Sequence, residues 1–230
     1  MVLCREEIPM PPDSTYTPAA GYHWLTPFYD FGVAALTRER RWRTALVAQI
    51  KPGRDDVIVD VGCGTGSLLV RLGKATPSAK LIGIDPDRSV LARARKRTVA
   101  AGLSVELYTG FARQAAEVLE GRRPTKFVSS LMFHQVPMEE KAAALTAMHA
   151  ALSAGDEVHI ADYGHQRTRF MRLLFRGIIQ NLDGRLNTEP NARGVLPDVM
   201  HTAGFRRVEE TAVISTPSGS ISLYRAIRPA

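Results

Sequence analysis

A chain containing Val57-Ile58-Val59-Asp60-Val61-Gly62-Cys63-Gly64-Thr65-Gly66 has few folds open to it. Val57, Ile58, Val59 and Val61 form a short β-branched run, suited to a strand buried on both faces of a parallel sheet. Asp60 interrupts the run near its end, and glycines then fall at the alternate positions 62, 64 and 66. Ser67, Leu68, Leu69, Val70 and Leu72 continue as a helix. Strand, glycine turn and helix N-terminus together make a nucleotide-binding corner. Glycine tolerates positive φ there and lets a ligand approach the backbone.

The spacing discriminates between ligands. A dinucleotide fold reads G-x-G-x-x-G, because a pyrophosphate sits on the helix N-terminus and tolerates no carboxylate beside it. Here the pattern is G-x-G-x-G, with Asp60 two residues before the first glycine. That acid suits a ligand with positive charge, such as the ammonium and sulfonium of S-adenosylmethionine, and argues against an NAD-dependent dehydrogenase. A second acid closes the next strand, Leu81 to Asp85. Asp85 lies nineteen residues after Gly66, where a carboxylate can accept from both hydroxyls of a ribose.

Through these motifs the chain resembles the class I S-adenosylmethionine-dependent methyltransferases, over about residues 22 to 205. Within them it is similar to the ubiquinone/menaquinone biosynthesis methyltransferases and related small-molecule enzymes. The resemblance implies S-adenosylmethionine as cofactor and S-adenosylhomocysteine as its product. It implies a cofactor-binding set of Tyr29, Asp60, Gly62, Cys63, Gly64, Gly66, Asp85, Pro86, Gly110, Phe111, Ala112, Ser130 and Leu131. Phe111 departs from the family, which usually has there an aspartate that contacts the adenine amine. Leu152 to Asp156 is a weakened form of the family's Leu-x-Pro-Gly-Gly turn. The segment Tyr22 to Asp30, with five aromatic or imidazole rings in its first eight positions, matches leader segments that lie over the pocket as a lid. Its Tyr29-Asp30 pair is common in such enzymes. Tyr22, Trp24, Tyr29, His134, Gln135 and Tyr163 are the residues expected to meet the acceptor.

The 230 residues suffice for one α/β domain spanning the chain. Residues 1–20 carry four prolines and read as an irregular arm, 21–50 as the helical leader, and 163–204 as a substrate-side insertion. Five strand–helix alternations followed by two strands joined at Thr216-Pro217-Ser218-Gly219 predict a doubly wound, Rossmann-like sheet of seven strands. Its order is 3-2-1-4-5-7-6, with helices on both faces and the last strand antiparallel. Phe170 to Leu182 reads as a helix with a largely apolar face, Phe170, Leu173, Leu174, Phe175, Ile178 and Ile179. That face and the leader are expected to supply the apolar wall of an acceptor pocket. Leu182 to Gly194 reads as polar and turn-rich.

Hydrophobic residues make up 45% of the chain and charged residues 23%, an ordinary soluble composition with no apolar run of membrane-spanning length. Cys4 and Cys63 lack metal or redox spacing, which fits a reducing cytoplasm. The net charge of +7 is spread over three arginine-rich groups that read as solvated helix faces. It leaves peripheral contact with an acidic membrane surface open, as it does monomer and homodimer. An RNA methyltransferase would suit the charge, but the Asn/Asp-Pro-Pro-Tyr/Phe turn of amino-methylating nucleic-acid enzymes is absent after the fourth strand. A non-catalytic S-adenosylmethionine-binding protein is the other alternative.

A sulfonium methyl is already electrophilic, so catalysis reduces to aligning a nucleophile and excluding water. A general base matters only for an acceptor that holds a proton at neutral pH. His134 is the best placed candidate, followed by Tyr163 and His165. His159, in mid-strand, reads as a hydrogen-bonded core histidine. No Cys/His/carboxylate spacing argues for a metal.

Overall fold

The computed structural model describes residues 37–230. The arm, the ring-rich leader with Tyr22, Trp24 and Tyr29, and Cys4 lie outside the described residues. Seven strands form one sheet: β1 (Val57–Val61), β2 (Lys80–Asp85), β3 (Val105–Thr109), β4 (Lys126–Ser130), β5 (Glu157–Tyr163), β6 (Arg206–Thr216) and β7 (Gly219–Ile227). Their order is β3-β2-β1-β4-β5-β7-β6, as the sequence predicts. The pairs from β3 through β5 are parallel, whereas β7 is antiparallel to both β5 and β6. The reason is connection length. Only Pro217 and Ser218 separate β6 from β7, too few for a crossover, while a helix intervenes between each earlier pair of strands.

The helices are α1 (Glu39–Ile50), α2 (Ser67–Ala75), α3 (Arg88–Ala100), α4 (Ala115–Leu119), α5 (Met138–Ala151), α6 (Arg169–Phe175), α7 (Arg185–Ala192) and α8 (Leu196–Thr202). Strand side chains alternate between two cores, one on each side of the sheet. Val59, Val61, Ile82, Ile84 and Phe127 pack with Leu145 and Met148 of α5 and Met200 of α8. Ile58, Leu81 and Val128 pack on the opposite side with Trp42, Leu46 and Ile50 of α1 and Leu68, Leu69 and Leu72 of α2. Burying each such side chain stabilises the fold by roughly 1.5–3 kcal/mol. By the same alternation Asp60 shares the α1 side with Ile58.

Two segments differ from expectation. Residues 185–192, read as turn-rich, form α7 even though Pro190 lies within it. Tertiary bonds override the weak local propensity. Asn187 Nδ2 donates to Gln135 O at 2.9 Å and Asn191 Nδ2 to Tyr163 O at 3.2 Å, fastening α7 beneath the exits of β4 and β5. The apolar face read in 170–179 divides. Phe175 and Ile179 are buried, whereas Phe170 and Leu173 are 63% and 67% exposed. Residues i and i+4 of the segment face the sheet, and the helix passes through a π turn (Arg176–Gln180) into a last helical turn (Asn181–Asp183). The described part of the expected pocket wall is therefore narrower than the sequence suggests.

Candidate active site

The exits of β1 to β4 meet at one rim. The glycine turn after β1 is fastened to β2, because Gly62 N and Cys63 N both donate to Ile84 O, at 2.9 and 3.1 Å. Gly62 adopts φ +70, and a Cβ there would stand 2.6 Å from Met132 Cγ, so this glycine is required by the close approach of the segment after β4. Gly64 has φ +53 with no atom within 4 Å of a notional Cβ: its open side is where a ligand has room. Cys63 is buried and unpaired in the turn, where a larger side chain would collide with β2 at Gly83.

Asp85, at the end of β2, accepts from Gly64 N at 2.9 Å and from Asp87 N at 3.0 Å. Burial pushes its carboxyl up to about 6 against those two N–H bonds. Asp87 meanwhile caps α3, accepting from Ser89 N and Val90 N, so Pro86 is held between two anchored acids. Gly110 N donates to Asp85 O at 3.2 Å, bringing Gly110, Phe111 and Ala112 beside Asp85. Phe111 lies under the Arg113 guanidinium, 4.5 Å from ring centroid to Cζ, and Arg113 pairs with Glu140 at 2.5 Å. Phe111 N donates to Gln114 Oε1 at 3.0 Å. Beyond Ser130, Leu131 takes φ +55 and donates its N–H to Ala161 O, which turns Met132 under the glycine turn. A left-handed leucine at a strand exit is backbone strain at the rim.

Asp60 is the unsatisfied member of the rim. It is fully buried, and both carboxylate oxygens lack a hydrogen-bond partner among the described residues. Burial pushes its pKa up to about 8; the Arg43 guanidinium opposes this and Asp85 adds to it. A carboxylate left dry in this way is suited to an incoming cation.

A second cluster lies where β4 and β5 end. His134 Nδ1 meets Asp162 Oδ1 at 2.7 Å, and Nε2 meets Asp183 Oδ2 at 3.4 Å. Asp162 also accepts from Phe133 N and Tyr163 N, both at 2.7 Å. Burial works against charge on the imidazole, but the two carboxylates outweigh it and raise the pKa to about 9. His134 is therefore an imidazolium at neutral pH. The Tyr163 ring stands edge-on to it, with centroids 5.0 Å apart, and Tyr163 Oη bonds Ser218 Oγ at 2.7 Å. Both residues are buried, whereas His165, two residues beyond β5, is exposed. Gln135 contributes its backbone carbonyl to Asn187. His159 is a core histidine, as read: Gln49 Nε2 and Glu157 Oε2 lie 3.1 Å from its two ring nitrogens.

Three participants escaped sequence reasoning. Asp183 gave no signal, lying in a segment read as loop. Lys141 gave one: it precedes Ala144, Leu145 and Met148 by three, four and seven residues, on the buried stripe of α5. Its Nζ donates to Val136 O and Asn187 O, and burial lowers its pKa to about 8. Arg43 was read only as part of a basic group. Among the described residues no cluster of three or more His, Cys, Asp or Glu is placed to hold a metal ion. Nor is any helix among them long and apolar enough to cross a membrane.

Comparison with known proteins places this geometry. Residues 58–155 match the methyltransferase domain family. A carboxy-S-adenosyl-L-methionine synthase of Nitratiruptor sp. is 42% identical over 52 residues, which is 22% of this chain and 22% of that protein. The chain thus aligns with about a fifth of that relative's length. A ubiquinone/menaquinone biosynthesis C-methyltransferase of Syntrophotalea carbinolica is 22% identical, over 91% of this chain and 90% of its own. Magnesium protoporphyrin IX methyltransferase from Synechocystis PCC 6803, solved with bound SAH, superposes with a TM-score of 0.61 at 18% identity, over 82% of each chain. The glycine turn, the two rim acids and these likenesses agree on residues 58–155 as a methyltransferase domain, similar to those of the class I S-adenosylmethionine-dependent methyltransferases.

Proposed function

We propose that this chain transfers the methyl group of S-adenosylmethionine to a small, partly apolar acceptor: a quinone-like phenol or carbon, a lipid head group or a secondary metabolite. The observation that carries the reading is Asp60, buried with both oxygens unpartnered two residues before the first glycine of a turn whose Gly64 side is open. Asp60 would hold the cofactor's ammonium, Asp85 its ribose, and the backbone of Gly62 to Gly66 and of Gly110 to Ala112 would line the remainder. When bound, the cofactor supplies a methyl group on a sulfonium sulfur, which keeps the C–S electron pair as the acceptor takes the methyl.

The chain's own work is alignment and exclusion of water. His134 and Tyr163, sealed and bonded at their polar atoms, serve as positioning residues for the wall between β4 and β5. The exposed His165 takes the proton of an acceptor that carries one. The leader closes the site as a lid. Its support is the place where α1 begins: Arg38 Nη1 donates to Ser215 O at 3.2 Å, beside the β6–β7 turn, on the rim where β5 ends.

The test is transfer of labelled methyl from S-adenosylmethionine into a cell extract separated into lipid, small-molecule, RNA and protein fractions. The expected label is in the lipid or small-molecule fraction, lost in Trp24→Ala/Tyr29→Ala while S-adenosylhomocysteine still binds. Label mainly in RNA or protein refutes the small acceptor, and no transfer to any fraction favours the non-catalytic binding protein.

A further inference from the structure

Four of the seven large hydrophobic side chains exposed among the described residues fall within 170–186: Phe170, Leu173, Leu182 and Leu186, at 63, 67, 61 and 89%. Scattered singly they would need no explanation; gathered on one segment they make a surface. The helix runs unbroken from α6 through the π turn to Asp183, and it is buried along the side of Phe175 and Ile179. At roughly 100° per residue, Phe170 and Leu173 fall on the side away from Phe175, with Arg169 and Arg176 bordering Leu173. Only Gly184 separates this helix from α7, which sets Leu186 close behind Leu182. The inner side of the same segment belongs to the candidate site. The Phe175 ring stands edge-on to Tyr163, with centroids 5.1 Å apart, and Asp183 reaches His134.

The charges around this face are of one sign. Residues 167–193 hold six arginines and two acids. Both acids are engaged within the protein, Asp183 by His134 and Glu189 by Arg172, Arg193 and Gln180, while Arg167 pairs with Glu210. Arg169, Arg176 and Arg185 are exposed, and no acidic side chain among the described residues pairs with them. A second copy of the chain, meeting this face about a two-fold axis, would set like guanidinium groups against one another. A nucleic-acid backbone would take the arginines and leave the leucines in water. An anionic phospholipid surface takes both: guanidinium meets phosphate, and phenylalanine and leucine enter the boundary of the acyl chains. No described helix is long and apolar enough to cross a membrane, so the contact is peripheral.

We propose that the outer face of residues 169–186 docks on an anionic phospholipid surface, with Phe170, Leu173, Leu182 and Leu186 inserted and Arg169, Arg176 and Arg185 on the lipid phosphates. The helix that walls the candidate site from within would then rest on the bilayer from without, and a partly apolar acceptor would enter from the lipid. That purpose rests on the methyltransferase reading; the docking itself does not.

The test is co-sedimentation of the full chain with vesicles of phosphatidylcholine alone and of phosphatidylcholine with an equal part of phosphatidylglycerol. The unaltered protein is expected to bind the mixed vesicles at least ten-fold more tightly, and to lose that preference at about 0.5 M salt. Arg169→Gln/Arg176→Gln/Arg185→Gln should weaken binding roughly 100-fold, about five-fold for each charge. Lys74→Gln/Lys80→Gln/Lys96→Gln removes the same charge from exposed positions on α2, β2 and α3, and should weaken it less than about three-fold. Phe170→Ser/Leu173→Ser, at exposed positions, should weaken it at least ten-fold with the circular dichroism spectrum unchanged. No preference of the unaltered protein for mixed vesicles overturns the proposal, a result that needs no variant. Equal losses in the two triple variants assign binding to net charge and overturn it as well. So does a Phe170→Ser/Leu173→Ser protein that binds vesicles as before but has lost a dimer in sedimentation, which would give the face to a second copy. Vesicle binding with no methyl transfer to any fraction supports this surface while refuting the methyltransferase reading, and transfer without vesicle binding does the reverse.

Discussion

Replacing Asp60 by Asn should stabilise the ligand-free protein, and by an amount that grows with pH. Burial holds the folded-state pKa of Asp60 near 8, against 3.8 for an exposed aspartate. The folded state therefore keeps a proton that the unfolded chain releases. Stability from this group is whole below about pH 4 and is lost as pH rises through 8. With 1.36 kcal/mol per pH unit, the loss between pH 5 and pH 8 is of order 3 kcal/mol. Asparagine carries no such dependence, and any fixed difference from its amide is the same at every pH. His134 titrates alike in both proteins and cancels. The assay is urea denaturation of both at pH 5, 6, 7 and 8 without ligand. The stability gap should widen toward pH 8 by about 3 kcal/mol, equivalent to roughly 6–12 °C in Tm for a chain of this size. A gap constant across the range would refute the dry, protonated Asp60 on which the cofactor site is argued. The same variant should lose S-adenosylhomocysteine binding, because the neutral amide cannot take an ammonium. In the unaltered protein, binding at pH 7 should release about 0.9 proton as Asp60 ionises, read from the dependence of binding enthalpy on buffer.

Three further outcomes follow from the geometry. Gly62→Ala places a methyl 2.6 Å from Met132 Cγ at φ +70 and should cost more than about 2 kcal/mol, whereas Gly64→Ala meets no atom. Gly64→Ala should cost about 1 kcal/mol of backbone strain yet weaken S-adenosylhomocysteine binding at least ten-fold; equal stability losses in the two variants would contradict the open side assigned to Gly64. The His134 ring should stay protonated from pH 6 to 8 by nuclear magnetic resonance, since its pKa is raised to about 9, and should lose this in Asp162→Asn; titration near 6.5 in the unaltered protein would remove the two-carboxylate clamp. Phe175→Ala should destabilise by about 3–5 kcal/mol and Phe170→Ser by less than about 0.5 kcal/mol, because one ring is buried and the other 63% exposed; similar values by urea denaturation would contradict the division of that helix.

The sheet was legible because its central strands β1 and β2 are short β-branched or apolar runs bounded by their own turn residues, so pattern and fold agree locally. Strand ends were less so. The apolar Leu131 and Met132 continue the run of β4, yet the strand stops at Ser130, because Leu131 adopts a left-handed conformation that its side chain does not announce. The 185–192 segment failed for a related reason. Pro190 and the polar Asn187, Thr188 and Asn191 weaken any local helix signal, and the bonds that make it a helix come from Lys141, Gln135 and Tyr163, far away in the chain. A tertiary override leaves no periodicity to read.

The site divides along the same line. The three glycines act through backbone conformation, and Asp60 and Asp85 through carboxylates at fixed spacing from them, so five residues in one stretch and its neighbouring strand reveal them. His134 was singled out as a base, yet its protonation is decided by Asp162 and Asp183, 28 and 49 residues away. Those two carboxylates turn the best placed candidate base into a fixed cation. Arg43 shows the converse. It belongs to one of the arginine-rich groups that read as solvated helix faces, and it becomes distinctive only once the alternation of β1 turns Asp60 toward α1, whose Trp42 is buried in the core shared with Ile58 and Leu68. Spacing tells which atoms a ligand's nucleoside can meet; only packing tells which charges stand around the buried Asp60.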